Sequence, residues 1–131
     1  MKTIITTSLL TLTLLTFTAC SGTQDSSEGT AHAACESIQQ LDSEAFLALT
    51  SQKKMTKRHK NSIAAVIEHF KQSPEGSRRR QQLTEVDCSE HTNFKRQTMH
   101  DKYYFGIEGN KNYLKIYVIE EDGQWVVTGA K

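Results

Sequence analysis

The hydrophobic period of the chain changes at its single proline, Pro74. Ahead of it, in KNSIAAVIEHFKQS, Ile63, Val66, Ile67 and Phe70 recur at i, i+3, i+4 and i+7, the stripe of an amphipathic helix. Proline pushes the preceding residue out of the helical region, so this helix must stop by Ser73. Asn61 or Ser62 can cap it if the preceding KKMTKRHK is a linker. Further upstream, residues 32–40 read as a short helix with Cys35, Ile38 and Leu41 on one side. Asp42 or Ser43 can cap a second helix carrying Ala45, Phe46, Leu47 and Leu49. Beyond SPEGSRRR the period drops to two. Residues 83–88 alternate, as do Tyr103, Phe105 and Ile107; residues 113–119 are nearly continuously apolar, and residues 124–128 complete the pattern. Residues 94–99 read as a further strand or a long loop. Gly109-Asn110-Lys111-Asn112 and Asp122-Gly123 lie between strands and are hairpin signals. Helices first and a meander after them predict an α+β domain, two or three N-terminal helices packed on one face of an antiparallel sheet of about four strands.

The opening residues belong to a different regime. No charge stands between Lys2 and Cys20, and the apolar residues there are diluted by threonines, too short and too mixed a run to span a bilayer. A basic residue, a short apolar region and a small residue before a cut make a secretory signal peptide, here residues 1–19. Phe17-Thr18-Ala19-Cys20 resembles the lipobox of bacterial lipoproteins, with Phe17 where leucine is usual. The resemblance implies a diacylglyceryl group on the Cys20 sulfur, cleavage just before it and acylation of the new amino group. Two or three acyl chains anchor stably, each buried methylene contributing about 0.8 kcal/mol. Ser21 in the second mature position, rather than aspartate, implies sorting to the outer membrane, facing the periplasm. An ordinary signal peptide that leaves Cys20 unmodified is the other reading.

Without Lys2 the bases and acids balance, so no global field recommends nucleic acid as a partner. The local distribution is uneven: residues 53–80 hold nine Lys and Arg against Glu68 and Glu75. Such a block suits anionic lipid or an acidic partner, and equally a solvated helix face and turn. Cys35 and Cys88 form an even pair in an oxidising compartment, most simply a disulfide. It would close a loop of just over 50 residues, for which the chain-entropy model gives about 4 kcal/mol. Neither cysteine has metal-ligand spacing, and a catalytic thiol requires the pair to be reduced.

Residues 20–30 read as the lipidated cysteine and a flexible tether, and residues 31–131 as one domain. The ending with Asp122, Gly123 and Trp125 is similar to small NTF2-like or cystatin-like lipoproteins of bacteria, whose last hairpin commonly carries a D-G-x-W signature. That family houses enzymes, carriers and partner-binding modules alike, so its fold does not transfer a function.

Chemistry has few handles here. The five histidines never fall into HxxH or HExxH, which predicts no metal site, and no motif calls for a cofactor. His100 and Asp101 are adjacent, and adjacent strand residues point to opposite faces. With Glu108 they are the only acid–base candidates for a pocket enzyme. No catalytic residue is assigned. Odd positions of the third strand, among them Lys115 and Tyr117, form an amphipathic face opposite Leu114, Ile116 and Val118. That face, with Tyr104 and the cluster Arg78, Arg79 and Arg80, is the expected partner-binding surface. The expectation is therefore a lipid-anchored, non-enzymatic binding module, in its sharper form an inhibitor or immunity-type protein for a periplasmic partner. A pocket enzyme or ligand carrier, and a structural envelope protein, are the alternatives.

Overall fold

The structure, a computed structural model, describes residues 24–131. The signal peptide, Cys20 and the first residues of the expected tether lie outside the described residues.

Among the described residues, four α-helices precede four strands. Helix α1 (Ser27–Gln39) starts on Ser26, whose hydroxyl accepts from the Gly29 N–H at 2.9 Å. It therefore begins four residues ahead of Ala31, and the end of the expected tether is helical. The reason is local capping followed by burial: Thr30, Ala31, Ala34 and Cys35 are wholly buried. Asp42 caps α2 (Ser43–Ala48) by accepting from Ala45 N–H at 3.0 Å. Helix α3 (Lys57–Gln72) is capped by Thr56 rather than by Asn61 or Ser62, so the basic stretch before the apolar stripe forms its first turn. Ser73 is extended, as the proline after it demands, and Pro74–Gly76 make one 3-10 turn.

Helix α4 (Ser77–Thr84) corrects the expectation of a charged turn and a strand over residues 83–88. Arginine and glutamine are good helix formers. The alternation of Leu83, Val86 and Cys88 is too short to separate a helix end from a strand. Leu83 is buried in the last helical turn, and Gln39 Nε2 donates to the Leu83 carbonyl at 3.1 Å and the Val86 carbonyl at 2.7 Å, taking the place of a sheet neighbour.

The strands β1 (Asn93–Gln97), β2 (His100–Ile107), β3 (Asn110–Glu121) and β4 (Gln124–Ala130) form one antiparallel sheet in that order. Residues 94–99 thus supply an edge strand. Asp122 and Gly123 both take positive φ, +53° and +80°, the turn geometry that follows the strand twist. On the outer edge of β4, Ser51 N–H donates to Val127 O and Val127 N–H to Leu49 O, both at 2.8 Å, so the segment after α2 covers that edge. Helix α1 lies against β2, β3 and β4, and α2 and α4 pack on α1. The core is built from Ala31, Ala34 and Cys35 against Phe105, Leu114, Ile116, Val118 and Val127, with Phe46, Ile67 and Val86 closing it. Cys35 and Cys88 are joined as a disulfide, Cα to Cα 5.6 Å, pinning the loop after α4 to α1.

Candidate functional site

The α3 stripe does not become core in full. Ile67 is buried, but Val66 is half exposed. Helix α3 packs on α2 and α4, which leaves its apolar face as one wall of a cleft of about 430 Å³. Ile38 from α1, Leu41 from the turn after it, Leu83 from α4 and Leu114 and Ala130 from the sheet form the other walls; His59, Arg79 and Lys131 supply basic groups around them. A concave apolar surface of this size with a few polar groups suits a small ligand or one inserted side chain.

Arg79 stands where this cleft meets a second, more polar one that also holds Arg78, Glu108 and Tyr113. Its Nη1 donates to the Tyr113 hydroxyl at 2.9 Å, and its guanidinium lies 5.5 Å from the Tyr113 ring centroid. Arg80 has a structural task, donating to the carbonyls of Phe70 and of Ser73, the latter at 2.9 Å, at the C-terminal end of α3. The three arginines therefore separate into an exposed Arg78, a Tyr113-bound Arg79 and a capping Arg80.

On the sheet face opposite α1, Tyr104 pairs with Lys115 and Lys102 with Tyr117. Lys102 Nζ lies 5.7 Å from the Tyr104 ring centroid and 5.0 Å from that of Tyr117. The expected Tyr104, Lys115 and Tyr117 thus come together, around a lysine the sequence reading passed over. Tyr104 is nonetheless buried, and the ring that meets an arginine is Tyr113, not Tyr117.

The three acid–base candidates do not share one cleft: His100 and Asp101 line a third cleft with Arg96 and Trp125, and Glu108 lines the polar one. Asp101 is buried and accepts two bonds from Arg96, at 3.1 and 3.4 Å, while Glu108 sits in the β2–β3 turn. None of the three lines the apolar cleft. Two histidines that the sequence spacing kept apart do meet: His32 Nε2 and His91 Nδ1 are 3.3 Å apart. Burial holds the His32 imidazole below its ordinary pKa, and burial raises that of the Tyr103 hydroxyl.

A family model described as signaling lymphocytic activation molecule (SLAM) protein matches residues 3–128. The chain belongs to this family. The span takes in all four helices and three complete strands of this SLAM-family chain, and runs into β4. No curated protein and no solved structure matches it. Among the described residues, no helix is long and apolar enough to cross a membrane.

Proposed function

We propose that the chain is a non-enzymatic binding module of the cell envelope, anchored through lipid on Cys20 and holding an apolar, anionically headed ligand in the cleft between α3 and the sheet. The observation that carries this is the cleft itself, whose walls are apolar while its ionisable side chains, Tyr113 aside, are all basic: His59, Arg79 and Lys131. Ligand carriage, rather than catalysis, fits a cavity that Asp101, His100 and Glu108 do not line. The SLAM family description names a signalling molecule, a role exercised by recognition, and supports binding in that general sense.

A protein partner, as an inhibitor or immunity-type protein would have, is the second reading. It is favoured by the β1 edge, exposed along its whole length with Phe94 and the nearby Met99 uncovered, where a partner strand could add.

The test is titration with an anionic apolar fluorophore such as anilinonaphthalene sulfonate. Saturable binding is expected for the wild type, with at least a tenfold loss in Val66→Glu and Arg79→Glu, both at exposed positions of the cleft. Binding that ignores both changes overturns the cleft reading. Labelling of cells with a fatty-acid analogue should mark the wild type and not Cys20→Ala.

A further inference from the structure

Helix α1 places Glu28 and His32 one turn apart, on the side where the loop after α4 returns. The Cys35–Cys88 disulfide fixes that loop one turn further along α1, and three residues beyond Cys88 the chain reaches His91. The outcome is three ligand-type atoms around one point. His32 Nε2 and His91 Nδ1 are 3.3 Å apart, and Glu28 Oε1 lies 3.8 Å from each. At that distance the carboxylate makes no hydrogen bond to either ring; the one hydrogen bond inside the group joins the two imidazole nitrogens, and an ion between them would replace it. Aromatic neighbours hold both imidazoles: His32 meets the Phe105 ring edge-on at 5.3 Å, and His91 stands at 88° to Tyr103 at 5.0 Å.

We propose that Glu28, His32 and His91 form a binding site for a divalent transition-metal ion, with Zn2+ the ion whose chemistry fits. Two imidazole nitrogens and a carboxylate are a donor set for zinc and its neighbours rather than for Mg2+ or Ca2+, which take oxygen ligands. Metal–nitrogen bonds of about 2.0–2.1 Å in a tetrahedral shell set neighbouring ligand atoms roughly 3.3–3.4 Å apart. The histidine pair already has that spacing, and Glu28, whose side chain is 61% exposed, closes the remainder by a small rotation. Each neutral imidazole then keeps its single proton on the nitrogen facing away, Nδ1 of His32 and Nε2 of His91, leaving both inner lone pairs for the ion. Three protein ligands leave the fourth position to water or to a partner's group.

The experiment uses the full chain in detergent, stripped with chelator and titrated with Zn2+ by calorimetry, with Mg2+ as control. One equivalent of Zn2+ should bind. His91→Ala and Glu28→Gln, both at incompletely buried side chains, should each weaken it by about tenfold or more, while His69→Ala leaves it unchanged. Co2+ should give the visible bands of a tetrahedral site in the wild type and lose them in His91→Ala. Far-UV circular dichroism of the variants separates loss of the site from loss of the fold. Absence of saturable Zn2+ binding, or binding that survives His91→Ala intact, overturns the site. Neither variant touches the apolar cleft, so this result stands or falls apart from fluorophore binding.

Discussion

Arg78 and Arg80 are two residues apart on one short helix and differ in what removing them should do. Arg80 answers the Phe70 carbonyl at the end of α3 and shares the Ser73 carbonyl with the Gly76 N–H, whereas Arg78 is exposed. A hydrogen bond from a charged donor contributes about 1.5–3 kcal/mol, and an exposed substitution about 0.5 or less. Arg80→Ala is therefore expected to lower stability by about 1.5–3 kcal/mol in urea unfolding, and Arg78→Ala to leave the midpoint nearly in place. Equal effects would show that the cap carries no weight. The same corner explains Gly76: a Cβ there would stand 2.8 Å from the Phe70 carbonyl oxygen, so only glycine lets the chain turn this tightly against α3. Neither role is visible in the letters SPEGSRRR, because both depend on where the end of α3 lies.

At the scale of elements, α3 is the least committed part of the fold. Of its stripe Ile67 alone is buried, Ile63 packs against the core while partly exposed, and all four residues line the cleft. Ile67→Ala should cost about 2–4 kcal/mol, in the range of buried aliphatic truncations, and Val66→Ser about 0.5 or less. Thermal unfolding of the two variants checks this, and a large loss in Val66→Ser would mean that the cleft is closed in solution. The stripe was legible from its spacing. Which part of it would be covered was not, since periodicity reports a face and not the neighbour that meets it. Strand alternation had the same limit in reverse at residues 83–88, where three apolar letters fit a helix end and a loop as well as a strand.

For the molecule as a whole, the disulfide joins the helical half of the chain to the segment that leads into the sheet, across a sequence separation of 53. Replacing both cysteines, Cys35→Ala with Cys88→Ala, is expected to lower stability by about 4 kcal/mol by the loop-entropy argument. It should also weaken Zn2+ binding, since His91 follows Cys88 closely on the loop so released. Urea midpoints and the zinc titration measure the two effects separately. Retained stability would mean that packing of Val86 and Leu83 alone holds the loop to α1.

The sequence by itself determined the class of fold and its polarity along the chain, because helix and strand periods, the stop before Pro74 and the Asp122-Gly123 turn are local properties. It also pointed to Cys35 with Cys88 as the simplest pair once Cys20 is set aside, and the structure joins them. The tertiary structure decided what is relational. It made Arg80 a cap, left α3 open over a cleft, set Lys102 between two tyrosines and brought His91 to His32. Each of these joins residues from separate elements, and no local spacing encodes such a meeting; it is fixed only when the helices pack on the sheet and the disulfide closes the loop.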